Sequence, residues 1–267
     1  MIVDHDLHVH TIFSDCCCDA DSIPEHILPR AAEAGLRTIG FADHMWDSSV
    51  PGASAWYRPQ NFDHIRRVRR LMPPDTAGVR VLFGCETEYC GDGKVGISPE
   101  VAEQLDFVLI PVSHFHMSGF VRPRAIDRPA DVAALLVARF NEVMGLGLAT
   151  GIAHPFLPLG FKQATDEIVA LIPDGQLTDC FGRAAEHGVS IEVTTSFFPG
   201  LNGGEPPGFH DETFLRLLTL ARGAGCLFHF ASDTHTLEGV GTVRKLEPYA
   251  QALGITPDHV LPLARPH

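Results

Sequence analysis

No apolar run in the 267-residue chain is long enough to cross a bilayer, so no segment reads as a membrane span. The start, Met1-Ile2-Val3-Asp4-His5-Asp6, lacks the basic region and long apolar core of a secretory signal, and a cytoplasmic location is expected. Basic residues are scarce: 20 Lys and Arg against 33 Asp and Glu leave a formal charge of −13. Phosphate-backbone binding needs clustered Lys and Arg, so nucleic acid is not expected as a stable partner. An anionic substrate remains compatible with this balance where divalent cations neutralise part of the acidic charge. Seven cysteines, an odd number without secretory context, do not suggest a disulfide framework. The run Cys16-Cys17-Cys18 also lacks the C-x-x-C spacing of a structural zinc ribbon. Internal repeats and low-complexity tracts are absent.

What is present is an alternation of short apolar runs with helical patterns. Strand-like segments fall at Ile2–Leu7, Arg37–Phe41, Val79–Gly84, Phe107–Val112, Leu148–Ala153, Val189–Thr194 and Cys226–Ala231. Their near-continuous hydrophobicity suits strands covered by helices on one face and packed side chains on the other. Between them, Ser22-Ile23-Pro24-Glu25 has the form of a capping box opening a helix that stops at Ala34-Gly35. Asn61–Leu71 places Phe62, Ile65, Val68 and Leu71 on one helical face, with four arginines largely on the other. Asp131–Met144, Gly175–His187 and Asp211–Ala224 repeat the scheme. Seven alternations in one uninterrupted chain point to a single α/β domain over 1–267, a TIM-like barrel one unit short of (β/α)8.

Three longer connections, Met45–Pro59, Glu88–Pro99 and Ser196–Phe209, follow strands that carry candidate ligands. Their aromatics Trp46, Trp56, Tyr57, Tyr89, Phe197 and Phe198 either wall a leaving-group site or pin the loops down.

Fifteen histidines occur, and several stand where a strand gives way to a loop: His8 and His10, His44, His114, His154 and His235. Asp233 and Glu86 share that position. At the C-terminal mouth of a parallel barrel such positions converge, and two histidines two apart on a strand point to the same side. One metal cage at that rim, and metal-assisted hydrolysis, is the expectation.

The motifs Asp6-Leu7-His8-Val9-His10-Thr11 with Ser14-Asp15, Ala42-Asp43-His44, Gly84-Cys85-Glu86, Ser113-His114-Phe115, Ala153-His154-Pro155, Ile191–Ser196 and Ser232-Asp233-Thr234-His235 resemble, in order, those of the PHP (polymerase and histidinol phosphatase) family. The resemblance implies a distorted (β/α)7 barrel with its metal site at the C-terminal face, holding two or three divalent ions (Zn, Mn or Fe). It implies one ion on His8, His10, Glu86 and Asp233, a second on Glu86, His114 and His154, and a third on Asp15, His44 and His235. Glu88 remains a substitute for Glu86, His116 for His114, and Cys16 for Asp15. The other histidines are expected not to be ligands. Glu192 either orients a ligand histidine or simply packs in its strand.

The expected chemistry is hydrolysis of a small phosphate monoester, with Glu86, Asp233 and His235 as the catalytic groups and L-histidinol phosphate as the named substrate by resemblance. Arg58, Lys94, Arg122 and Arg124 lie on mouth loops and are candidates for phosphate contact, the competing reading of each being a surface charge. A nucleotide phosphodiesterase is one alternative. An amidohydrolase-like C–N or lactone hydrolase is another, opposed because that family bridges its metals with a carboxylated lysine. Only Lys94, Lys162 and Lys245 are present here, and none stands at a strand end. A non-catalytic polymerase module is opposed by the acidic charge and the complete ligand set.

Overall fold

A computed structural model describes residues 1–202 and 208–265. Seven strands run in parallel order: β1 (His5–Val9), β2 (Thr38–Phe41), β3 (Arg80–Thr87), β4 (Phe107–Leu109), β5 (Gly151–Ile152), β6 (Ser190–Thr194) and β7 (Phe228–Ala231). Each pairs in parallel with the next. The expected seven-stranded, nearly closed barrel is what forms, with helices outside. Several strands are shorter than their apolar runs, β5 keeping only Gly151 and Ile152 of Leu148–Ala153.

The seam between β1 and β7 is closed by other means than a ladder. One bridge joins Val9 to Thr234, and the Asp233 amide donates to the His8 carbonyl at 2.9 Å. Below it, side chains take the remaining amides: His5 Nε2 accepts from Phe230 N at 3.0 Å and Asp6 Oδ1 from Ser232 N at 3.0 Å. Buried strand amides need partners, which explains two fully buried ionisable residues outside the site. Burial raises the Asp6 carboxyl to about 6.

Inside the barrel, the Phe107 ring fills the space left by Gly40 and Gly84 on β2 and β3. A Cβ on Gly84 would lie 2.5 Å from that ring, so the glycines are set by close packing. Outside, the helices Pro24–Glu33, Pro129–Met144, Asp174–Glu186 and Asp211–Gly223 bury one stripe each. Phe140, Phe156 and Phe181 form a buried aromatic cluster with centroids 5.3–5.8 Å apart where two of these helices meet the loop after β5. Gly35, Gly188 and Gly225 take the left-handed conformation that ends their helices.

Two local expectations are corrected. The first helix begins at Pro24 with Ile23 at its N-cap and no side-chain cap, because the Ser22 hydroxyl is buried without a partner. Asn61 does cap, accepting from His64 N, but only Phe62–Ile65 is α-helical before the chain tightens to 3-10 over Arg66–Leu71. The tighter winding turns Leu71 outward, and Arg67 and Arg69 lie over Phe13 and Phe83. Among the described residues no helix is long and apolar enough to cross a membrane.

Candidate metal centre

The C-terminal ends of the strands bring together eight of the nine expected ligands. His8 and His10 leave β1, Glu86 ends β3, and the two-residue strand His44–Met45 pairs His44 in register with Glu86. His114 and His154 follow β4 and β5, and Asp233 and His235 follow β7. Their ligand atoms fall into three groups, each within 4.8 Å: His8, His10 and Asp233; Glu86, His114 and His154; His10, His44 and His235.

In the first group His8 Nε2 and His10 Nε2 are 3.1 Å apart, and His10 Nε2 is 3.2 Å from Asp233 Oδ1. Glu86 Oε2 completes the figure at 3.3 Å from His8 and 3.6 Å from His10. Metal–nitrogen bonds of ~2.1 Å in a tetrahedron set ligand–ligand edges at about 3.4 Å, so the spacing suits a small divalent ion. On the other side of Glu86, its Oε1 stands 3.1 Å from His154 Nε2 and 3.6 Å from His114 Nε2. The glutamate therefore spans the two groups, one oxygen to each.

The outer nitrogens show why these edges need a cation. Ser14 Oγ donates to Asp43 Oδ1 (2.8 Å), so it accepts from His10 Nδ1 at 2.9 Å. His8 Nδ1 donates to Glu192 Oε2 at 2.8 Å. Glu88 Oε1 receives both the Tyr57 hydroxyl (2.6 Å) and His114 Nδ1. Ser113 Oγ donates to the His154 carbonyl and faces His154 Nδ1 at 2.8 Å. Each ring thus has its outer nitrogen held by a partner, which turns Nε2 inward toward carboxylate oxygens. Acceptors facing acceptors in a buried site are repulsive unless a positive charge lies between them. Burial raises the Glu86 and Asp233 carboxyls, yet positive charge on the surrounding imidazoles, His44 and His8 foremost for Glu86 and His8 and His10 for Asp233, holds both well below the usual range, a charge that a bound cation would take over.

Backbone strain marks the same place. His154 and Asp233 have φ of +29° and +54°, and Phe156 has +61°. Left-handed backbone in non-glycine residues persists only where the surroundings hold it, and here it aims two ligands inward.

Above the ligands lies a cavity of about 230 Å³ lined by Cys16, His44, Trp56, Tyr57, Glu86, His114, His116, Met117, Leu159, Asp233 and His235. Several expected residues are not brought to it. Asp15 is exposed, its amide donates to Gln60 Oε1 (2.8 Å), and it lies outside the three groups. Cys16 lines the cavity instead. Arg122 is spent on its own loop, donating to the Phe115 and Ile126 carbonyls and lying over Phe161. Arg124 is exposed beside Gly119, and Arg58 borders a separate pocket. Lys94 donates to the Gly52 carbonyl at 3.0 Å over the Trp46 and Phe120 rings. Of the loop aromatics, Trp56 and Tyr57 form cavity wall. Phe197 stacks on Phe214 and Phe198 on Tyr249, pinning their loop.

Glu88 and Glu192 have roles the sequence left open. Glu88 orients His114. Glu192, fully buried, also accepts from the His154 amide at 3.0 Å and lies 3.4 Å from His229, and His8 and His229 hold it at about 2 against its burial. The signal was a charge inside the apolar strand Ser-Ile-Glu-Val-Thr. Ser14 and Asp43 could not be assigned before the fold joined them. Residues 203–207 of the Ser196–Phe209 loop, and His267, lie outside the described residues.

A model of the PHP domain matches residues 6–196, most of the chain and six of the eight clustered residues, Asp233 and His235 lying beyond it. The chain belongs to the PHP family. It is 26% identical over 261 residues to a protein named "Probable phosphatase" from Aliivibrio fischeri, covering 98% of this chain and 89% of that one. A "Probable phosphatase" from Syntrophotalea carbinolica is 25% identical over 260 residues, covering 96% and 90%. In fold, this PHP chain is similar to histidinol phosphate phosphatase from Lactococcus lactis, solved with zinc, L-histidinol and phosphate. The TM-score is 0.57 at 15% identity, with 94% of each chain covered.

Proposed function

We propose that this PHP protein is a metal-dependent phosphoesterase, a single catalytic domain over 1–267 that hydrolyses small phosphate monoesters. The observation that carries the reading is the set of imidazole Nε2 atoms turned inward around Glu86, a buried lining that divalent cations would complete. His8, His10, Asp233 and Glu86 would hold one ion, and Glu86, His114 and His154 a second. Bound there, such ions supply water activated near neutral pH and neutralise phosphoryl oxygens.

The chain's own groups do the rest. Glu86 sets the separation of the two positions by giving one oxygen to each. Glu192, Glu88, Ser14 and Ser113 fix the ring orientations, so the ligands need little reorganisation when charge moves to the leaving group. Asp233, which lines both the first group and the cavity, is placed to move a proton from attacking water to the departing alkoxide. His235 stands beside it but faces His44 and Cys16 and is the lesser candidate. No Arg or Lys among the described residues lines the cavity, so phosphate charge would be met by the ions and by imidazole. Trp56, Tyr57, Met117 and Leu159 would enclose the leaving group.

L-histidinol phosphate is the first substrate to try. Metal analysis of the purified protein, with a phosphate-release screen over phosphorylated metabolites, tests the reading. Inorganic phosphate from monoesters is expected; cleavage of diesters alone would favour the nucleotide phosphodiesterase, and activity only on amides or lactones would overturn both.

A further inference from the structure

The third group of nitrogens is incomplete as it stands. His10 belongs to two groups, and its Nε2 lies 3.1 Å from His8 and 3.2 Å from Asp233, so one ion of the inner pair claims that lone pair. His44 and His235 are left with two imidazoles between them, too few for a divalent ion, which binds four or more donors. His44 Nδ1 is buried without a hydrogen-bond partner although it stands 3.0 Å from Glu86 Oε2. Asp15 is exposed and does not line the cavity. Cys16, exposed and outside the three groups, lines the same cavity as these two rings and is the sulfur donor beside them. The chain is bent to hold it there: Cys17 N bonds the Ser14 carbonyl at 2.8 Å, and Cys17 Sγ donates to the His235 carbonyl at 3.1 Å.

We propose that Cys16 is a thiolate ligand, with His44 and His235, of an outer metal ion at the cavity mouth. This rests on the metal-centre reading above and assigns the outer position a sulfur donor. Binding releases the S–H proton to solvent as the sulfur–metal bond forms, and no electron changes hands. A soft thiolate with two imidazoles favours zinc-like ions, so the outer position should discriminate against manganese more strongly than the carboxylate-bridged inner pair.

Cobalt(II) loading of the full chain separates this from the catalytic reading, because it is read by absorbance rather than by turnover. The wild-type protein should show a near-ultraviolet thiolate-to-cobalt charge-transfer band together with visible d–d bands. C16S should lose the charge-transfer band, keep the d–d bands of the inner ions and bind one fewer equivalent of zinc. C17S and D15N should keep the band, and C16H should restore zinc stoichiometry without it. A charge-transfer band that survives C16S, or d–d bands without a charge-transfer band in wild type, would overturn the assignment. If wild type takes up no cobalt, the outer ligand and the metal centre fall together. If cobalt binds with the band but no phosphate ester is cleaved, only the catalytic reading fails.

Discussion

The inner and outer parts of the cluster are built differently. Around Glu86, four imidazoles have a carboxylate or hydroxyl behind them: Glu192 behind His8, Glu88 behind His114, Ser14 behind His10, Ser113 behind His154. At the outer position, among the described residues, His235 Nδ1 faces the Asp233 carbonyl at 3.1 Å and no carboxylate supports His44 from outside. Buried rings held by a second layer are committed to one arrangement before any ion arrives. The outer rings, one of them half-buried at the cavity, are free to follow what binds. On the proposed reading, an inner pair of ions would assemble the site and an outer position would tune it.

The contrast breaks first at Glu86. Glu86→Gln removes the charge shared by both inner positions, so metal content and turnover should fall together, turnover by on the order of 10²–10³-fold or more, with circular dichroism unchanged. Retained metal content would refute the bridging role. Glu192→Gln should act through His8 and His154 without touching the substrate, costing about 10–100-fold in metal affinity or activity. A merely structural role would lower thermal stability and leave the metal titration of the folded protein unmoved. His235→Ala should spare the inner pair: two equivalents of zinc should remain by elemental analysis, and loss of all zinc would erase the distinction between the two regions.

Smallest is a control far from both. Asp166 accepts from the His210 ring (2.7 Å) and the Thr213 hydroxyl (2.5 Å) at the start of the Asp211–Gly223 helix. Its hydrogen bond holds the exposed His210 imidazolium above its ordinary value. A raised folded-state value stabilises fully below the unfolded value of roughly 6.5 and is lost as pH rises through the folded one. The gap in melting temperature between wild type and Asp166→Asn should therefore be wider at about pH 5.5 than at about pH 8.5, with metal content the same. A gap that widened at the higher pH would remove the ion pair from the account.

The inner cluster was legible in the sequence because strand parity and strand ends fix direction: His8 and His10 must share a face, and parallel strands must deliver Glu86, His114, His154 and Asp233 to one rim. The barrel was legible for the same reason, seven buried runs separated by helical periodicity. The second layer was not, since Glu192 meets His8 across 184 positions and Ser14 meets Asp43 only once β1 and β2 pair. Loop residues were misplaced for lack of any periodic constraint: Arg122 folds back on its own loop, and the exposed Asp15 stays off the cavity that its neighbour Cys16 lines.

The most direct test is anomalous X-ray diffraction from crystals of the zinc-loaded protein. Strong peaks are predicted on both sides of Glu86, one among His8, His10 and Asp233 and one beside His114 and His154. Fully loaded crystals whose zinc peaks fall only elsewhere on the molecule would contradict the account.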